Sequence, residues 1–293
     1  MMELEDFLRK LRHIEFRTRI KTQEALVGTY HSTFKGRGMT FSECKPYVEG
    51  DDVRYIDWNA SARQHGIFVK QFVEERELSV CVILDLSPTM RFGSIGGRKS
   101  DTAIEAMAIL AMSALHNNDK VGLFLFNETG MKYVPQVKGK QNIPRLILEA
   151  LRFNPDKGEH TLSGILAKTA MLMKRRSLVF VISDFIGKDY EQPLQLLKHH
   201  HEVIPIVVSD PMEANMPDLG FSMIEDVSTQ RRYLVDTADP IFRAYYREQF
   251  RHRMSIQNNI FNRNRLTTVC ISTTEDILVP IARAFNRHIS HVS

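Results

Sequence analysis

Cysteine is scarce in this chain of 293 residues, which contains only Cys44, Cys81 and Cys270. The three lie far apart and form no Cys-x-x-Cys pair, so neither a disulfide framework nor a zinc knuckle is expected. So few thiols fit a reducing compartment. Because 43% of the residues are hydrophobic, a chain of this length can bury a sizeable core without cross-links.

Long apolar runs and a strong net charge are also missing. No stretch approaches the roughly 20 apolar residues that a membrane-spanning helix needs. The first residues, Met-Met-Glu-Leu-Glu-Asp, lack the basic and apolar regions of a secretory signal. The net charge is only +4, which gives no reason to expect a nucleic-acid or lipid partner. We therefore expect a cytoplasmic protein without membrane insertion.

The usual catalytic motifs are absent from the sequence as well. There is no His-Glu-x-x-His motif and no nucleophile elbow around any serine. Gly139-Lys140 lacks the upstream glycine and the following Ser or Thr of a phosphate-binding loop. We therefore predict that the protein is not an enzyme and that any nucleotide chemistry belongs to a partner.

Strands and helices are predicted to alternate after Arg76, which indicates an α/β fold: a doubly wound, mostly parallel sheet flanked by helices. Residues 1–76 are predicted to form an N-terminal subdomain, and residues 77–293 the α/β domain. The predicted strands are Leu78–Leu84, Lys120–Phe126, Met131–Val134, Leu178–Ser183, Val203–Val208, Tyr233–Val235 and Leu266–Ile271. The predicted helices are Glu3–Leu11, Asp101–His116, Gln141–Arg152, Leu162–Met173, Tyr190–His199, Pro240–Arg253 and Glu275–Arg287.

Two of the predicted strands end in a carboxylate. Asp85 follows the first, and Asp184 follows the fourth. In a doubly wound sheet of order 3-2-1-4-5-6, the order reverses between strands 1 and 4, and ligands bind at the carboxyl ends of the strands there. Both aspartates should therefore reach one crevice.

Hydroxyl groups are expected at the same crevice. Ser87 and Thr89 alternate with Asp85 along the loop, and Thr161 begins a helix. Magnesium takes about six oxygen ligands and keeps some waters. Each of these residues alone is more typical of a turn or a helix cap, but three separated segments meeting at one crevice favour a metal site.

These residues resemble the metal-ion-dependent adhesion site of von Willebrand factor A-type domains, which uses Asp-x-Ser-x-Ser, a distant Thr and a distant Asp. Thr89 stands where that family usually has serine. The resemblance implies bound Mg²⁺, with Mn²⁺ or Ca²⁺ as alternatives, and an open coordination position for an acidic residue of a protein partner. The implied metal site consists of Asp85, Ser87, Thr89, Thr161 and Asp184.

A second resemblance lies upstream, in the run Gly50-Asp51-Asp52-x-Arg54-x-Ile56-Asp57-Trp58. It is similar to the signature of a bacterial domain-of-unknown-function family, number fifty-eight, whose members carry it before an A-type domain. That family implies a partner, an AAA+ ATPase of the MoxR type, and a role in assembling or remodelling protein complexes. From the residues alone, we interpret the run as a polar clasp in which Arg54 pairs with Asp52 or Asp57 and Trp58 packs on apolar surface.

The sequence therefore predicts a non-catalytic, metal-dependent adaptor that works with a MoxR-type ATPase. Two alternatives stay open: a metal-dependent hydrolase that uses the same crevice, and a scaffold whose metal site has degenerated.

Overall fold

The computed structural model describes residues 40–64, 66–73, 78–153, 161–187, 189–226 and 231–284. These residues form two compact units, one within residues 34–78 and one that begins at Ser79. The predicted helix Glu3–Leu11 and the predicted boundary near Arg76 lie outside the described residues.

The smaller unit is built on an antiparallel pair of strands. Strand β1 (Thr40–Pro46) pairs with β2 (Phe68–Val73), and the first helix, α1 (Trp58–Gln64), lies between them in the chain. The strand-like residues from Ile67 to Val73 predicted β2, whereas β1 and α1 were not predicted. Helix α1 was missed because seven residues are too few to show a clear helical period.

The aspartates of the signature organise the backbone of this unit. Asp51 accepts the Val48 N–H across a turn in which Gly50 has a φ of +108°, a conformation that favours glycine. Asp52 caps a short 3-10 helix (Val53–Tyr55) by accepting the Arg54 N–H. Asp57 accepts the N–H groups of the first residues of α1. The run is thus a series of turn and helix caps.

One prediction for this segment holds and another is wrong. Arg54 pairs with Asp52, at 2.6 Å between guanidinium and carboxylate. Trp58 does not pack on an apolar surface, because 70% of it is exposed. As the first residue of α1, Trp58 has its side-chain direction set by the helix and not by the apolar character of the ring.

The larger unit contains a six-stranded sheet. Its strands are β3 (Ser79–Asp85), β6 (Lys120–Asn127), β7 (Gly130–Val137), β8 (Leu178–Ser183), β9 (Glu202–Ser209) and β12 (Val269–Ser272). They lie in the order β12-β9-β8-β3-β6-β7. Only the β6–β7 pair is antiparallel within this sheet.

This arrangement confirms the predicted fold class. The first five predicted strands lie in the predicted order, whereas the sixth, Tyr233–Val235, lies outside this sheet. Counted along the chain, the six strands lie in the order 6-5-4-1-2-3, so β3 and β8 are neighbours at the point where the order reverses. Every residue of β8 is buried, and so is every residue of β3 after Ser79. A strand that is covered by helices on both faces needs such a continuous apolar run.

Helices complete the larger unit. They are α2 (Lys99–His116), α3 (Ile143–Leu151), α4 (Leu162–Leu172), α5 (Glu191–His200), α6 (Pro211–Ala214) and α7 (Pro240–Arg263), and residues 278–284 are also helical. The Ala-rich α2 is buried almost all round, as expected for a helix inside a core. None of the helices in the described residues is long and apolar enough to cross a membrane.

Three details differ from the sequence prediction. The predicted strand Tyr233–Val235 belongs to β11 (Arg232–Asp236), which pairs with β10 (Phe221–Glu225) in a separate hairpin outside the main sheet. Helix α7 runs ten residues beyond its predicted end at Arg253. A small hairpin, β4 (Gly93–Ser94) with β5 (Gly97–Arg98), was not predicted, because two-residue strands carry no periodic signal.

Candidate functional site

Asp85 lies at the carboxyl end of β3 and is buried. Its Oδ2 accepts a hydrogen bond from the Ser183 hydroxyl, at 2.6 Å, and its Oδ1 accepts the Ser87 N–H, at 2.9 Å. Ser183 is the last residue of the neighbouring strand β8. The side chain of Asp85 therefore joins the ends of the two strands that flank the reversal of strand order.

Ser87 and Thr89 lie on the loop that leaves β3, and both are half-buried. The distance between Ser87 Oγ and Thr89 Oγ1 is 3.1 Å. Pro88 begins a short 3-10 helix (Pro88–Arg91), and this tight turn brings the two hydroxyls to the same side. The predicted pairing of these hydroxyls beside Asp85 is present.

Asp184 follows β8 and accepts a hydrogen bond from Lys99, with 2.8 Å between Oδ2 and Nζ. Lys99 is the first residue of α2, and its side chain is 0% exposed. The same ammonium donates to Glu213 Oε1 at 2.6 Å. Desolvating an ammonium is costly unless it is paired, so these two carboxylates are what allow Lys99 to be buried.

A second carboxylate network adjoins the buried triad of Lys99, Asp184 and Glu213. Glu213 Oε2 accepts the Asp210 N–H, and Asp210 Oδ1 accepts the Met212 N–H, which makes a capping box at the start of α6. The buried Asp210 also accepts the hydroxyls of Ser94 and Thr273. Burial by itself would raise the pKa of Asp210, but the hydrogen bonds from Thr273, Met212 and Ser94 together lower it.

The charges of the triad and Asp85 do not balance. Asp85, Asp184 and Glu213 are three buried carboxyl groups, and Lys99 supplies one positive charge among them. Burial, followed by the negative charge of Asp184, raises the pKa of Asp85 to about 6, although hydrogen bonds from Ser183 and Ser87 oppose the rise. This end of the sheet therefore favours an additional positive charge.

Thr161 is placed differently from the other predicted residues. It is exposed and caps α4, with its hydroxyl accepting the Gly164 N–H at 3.1 Å. The hydrogen bonds of the described residues join Asp85, Ser87, Thr89 and Ser183, and Thr161 is not part of that set. The structure thus brings four of the five predicted residues to adjacent strand ends and shows Thr161 as a helix cap.

The residues at this end fit a hard cation in part. Among the described residues, no three His, Cys, Asp or Glu side chains are grouped as they would be around an ion. An ion here would therefore depend on hydroxyl ligands, and the Ser87–Thr89 pair beside Asp85 supplies two oxygens of the type that Mg²⁺ prefers. The excess of negative charge favours the same ion. Asp184 fits less well, because Lys99 already neutralises it.

Sequence analysis missed Lys99, Glu213, Asp210 and Ser183. Two signals were available. A lysine in the first turn of a helix is unfavourable with the helix dipole, so Lys99 pointed to a nearby carboxylate. Asp210-Pro211-Met212-Glu213 has the spacing of a capping box. Neither signal identifies the carboxylates that pair with Lys99, since Asp184 lies 85 residues away and Glu213 lies 114 residues away.

The model of the family described as "Protein of unknown function DUF58" matches residues 43–255. An uncharacterised protein of Mycobacterium tuberculosis is 28% identical over 234 residues, which cover 78% of this chain and 74% of the relative. An uncharacterised protein of Mycobacterium avium is 35% identical over 66 residues, 22% of this chain and 39% of that one.

Solved structures resemble the larger part of the chain loosely. The conserved hypothetical protein BatB from Bacteroides thetaiotaomicron aligns with a TM-score of 0.47 and 12% identity, over 73% of this chain and 99% of that one. The VWA domain of SpRpn10 aligns with a TM-score of 0.39 and 12% identity, over 72% and 95% of the two chains.

Proposed function

Since this chain belongs to the family of proteins of unknown function DUF58, we propose that it is a non-catalytic adaptor that captures an acidic residue of a protein partner. The larger unit presents the site at the carboxyl ends of β3 and β8. The partner class implied by the family resemblance is an AAA+ ATPase of the MoxR type, and the setting is the cytoplasm. The role is to assist the assembly or remodelling of a protein complex.

The observation that supports this proposal is the uncompensated negative charge beside a pair of half-buried hydroxyls. Ser87 and Thr89 would hold a divalent ion, Mg²⁺ or alternatively Mn²⁺ or Ca²⁺, and Thr161 would complete the protein ligands. Asp85 and Asp184 would orient ligands or bound waters, with Asp184 sharing its charge between the ion and Lys99. When bound, the ion supplies positive charge and an open position for a carboxylate.

Other residues of this chain orient the groups of the site. Ser183 holds the Asp85 carboxylate through its hydroxyl, and it also accepts the Phe185 N–H at 2.9 Å. These two hydrogen bonds fix the backbone at the end of β8, on either side of Asp184. Because these groups are already oriented, little conformational entropy is lost when a partner's carboxylate binds.

A direct test removes the hydroxyl pair. Calorimetric titration with MgCl₂ should show binding to the wild type and at least tenfold weaker binding to Ser87→Ala/Thr89→Val, because two of the few protein ligands are lost. The matched control is Ser272→Ala/Thr274→Val, which removes another hydroxyl pair 3.1 Å apart. Mg²⁺ binding that is equal in all three proteins, or absent from the wild type, would reject the metal site and leave a scaffold.

The hydrolase alternative draws on one observation, the pKa of Asp85, which lies at about 6 and so near the range of a general base. Turnover of p-nitrophenyl phosphate or of a casein substrate in MgCl₂, lost in Asp85→Asn, would favour it over the adaptor. Pull-down of the MoxR-type ATPase by the wild type, prevented by EDTA and by the Ser87→Ala/Thr89→Val variant, would favour the adaptor.

A further inference from the structure

A groove of about 820 Å³ lies in the larger unit, between α7 and the segment that joins β8 to α5. Its volume falls within the range of about 300–1,000 Å³ that is typical of small-ligand sites. One wall is a single face of α7, formed by Gln249, His252, Arg253, Ile256, Gln257 and Ile260. These residues recur at helical spacing of three and four. None of them belongs to the acidic site at Asp85.

Two buried hydrogen-bond donors in this wall have no acceptor. Gln257 is only 3% exposed, and neither its Nε2 nor the buried Arg253 Nε has a hydrogen-bond partner in the part of the chain that the structure describes. Arg253 instead stacks on Phe250, 5.3 Å from the ring centroid. An unpaired buried donor costs about 1–3 kcal/mol, so an acceptor oxygen of a ligand that reached these donors would recover part of that cost.

Apolar and aromatic side chains also line the groove. Phe185 packs against Phe261, 5.1 Å between ring centroids, and against Tyr190, 5.6 Å. Both Phe185 and Tyr190 are buried, and both line the groove together with Ile260. A ligand that fills the groove therefore has an apolar or aromatic body.

The charged groups of the groove indicate the other part of the ligand. Glu191 is already engaged by Arg263, at 3.1 Å, and by Asn264. The guanidinium of Arg253 and the amide of Gln257 require acceptor oxygens, and a carboxylate is the acceptor that best matches a guanidinium donor. Asp189 lines the opposite wall, where its negative charge repels a ligand carboxylate. The carboxylate is therefore expected on the Arg253 side of the groove.

We propose that this groove binds a carboxylate carried on an apolar body, with the oxygens on Arg253 and Gln257 and the apolar part against Phe185, Tyr190 and Ile260. Such a group has two sources: the C-terminus of a peptide that ends in a large apolar residue, or a free aromatic or aliphatic acid. Both share the chemistry that the groove recognises.

The test uses three probes: N-acetylphenylalanine, an acetylated hexapeptide that ends in Phe with a free carboxylate, and the same hexapeptide with a C-terminal amide. Binding is followed by isothermal titration up to 1 mM ligand with the full chain. We expect at least one of the two acids to bind, and the amide to bind at least tenfold more weakly than the acid peptide. Binding by the peptide acid alone identifies a protein C-terminus as the source, whereas equal binding by both acids identifies a free acid.

Variants separate loss of binding from loss of folding. Gln257→Leu and Arg253→Met should each weaken binding of the acid probe at least tenfold. Arg251→Met, at an exposed position on the same helix, should leave binding unchanged. Gln257→Leu removes a buried amide nitrogen without a partner among the described residues, so its thermal midpoint should equal or exceed that of the wild type. The proposal is overturned if neither acid binds, if the amide peptide binds as well as the acid, or if Gln257→Leu and Arg253→Met bind like the wild type.

Discussion

The two polar clusters of this protein use the same chemistry in different surroundings. In the smaller unit, Lys45 pairs with Asp51 and Arg54 with Asp52, at 2.8 and 2.6 Å. In the larger unit, Lys99 pairs with Asp184 and Glu213, at 2.8 and 2.6 Å. The distances match, but Lys99 is fully buried, whereas Lys45 and Arg54 lie at the surface.

Burial decides what each cluster does for the protein. Exposed ion pairs are worth little, because water and salt screen them. The hydrogen bond from Arg54 lowers the pKa of Asp52 to about 2, but the main contribution of Asp52 is to cap a helix turn. Buried pairs are costly to assemble and more costly to break, so Lys99 is a position where one change disturbs the whole end of the sheet.

The largest effect is expected from Lys99→Met. The change leaves Asp184 and Glu213 without a counter-charge in a buried setting, and we expect the free energy of unfolding to fall by about 3–5 kcal/mol. Urea denaturation measures it. Lys45→Met is the matched control, the same substitution in an exposed pair, and should not shift the midpoint measurably. Similar shifts in the two variants would contradict the contrast between the clusters.

A smaller effect is expected from Asp210→Asn. The amide nitrogen replaces either Oδ2, which accepts the Ser94 N–H and the Thr273 hydroxyl, or Oδ1, which accepts the Met212 N–H. The free energy of unfolding should therefore fall by about 1–3 kcal/mol at neutral pH. The folded-state pKa of Asp210 lies below its ordinary value of 3.8. Its carboxylate therefore stabilises the fold above that value, and the contribution disappears as the pH falls through the folded pKa.

The pH dependence provides the check on this second prediction. The stabilities of the wild type and of Asp210→Asn, measured by urea denaturation, should differ most at about pH 6–7. The difference should shrink as the pH falls below 3.8 and vanish below the lowered folded-state pKa, where the wild-type carboxylate is protonated. A difference that stays constant down to pH 2 would show that the carboxylate charge at Asp210 does not contribute.

The smallest effect is expected from Arg54→Ala. The Arg54 backbone N–H still bonds to Asp52 after the change, and only an exposed ion pair is lost, so the thermal midpoint should stay within error of the wild type. Asp52→Ala removes the cap as well as the pair and should lower the midpoint further. If Arg54→Ala were the more harmful of the two, the side chain of Arg54 would have a role beyond this pair.

Much of the fold could be predicted because it depends on local patterns. The predicted strands include all six strands of the main sheet, and Asp239-Pro240 correctly marked the start of α7. The short elements α1, α6, β4 and β5 were not predicted, since helices of four to seven residues and strands of two residues show no clear period. The C-terminal end of α7 was missed because the helix is largely exposed and has little apolar pattern.

The sequence by itself determined the order of the first five predicted strands and the placement of Asp85 and Asp184 at adjacent strand ends, because apolar runs and the rules of strand crossover depend only on the chain. Only the tertiary structure decided that a lysine 85 residues away neutralises Asp184, and that two buried donors of α7 lie without acceptors, among the described residues, on a helix that lines a groove. Those outcomes depend on which side chains burial brings together, and a buried charge accepts whichever distant partner the packing supplies.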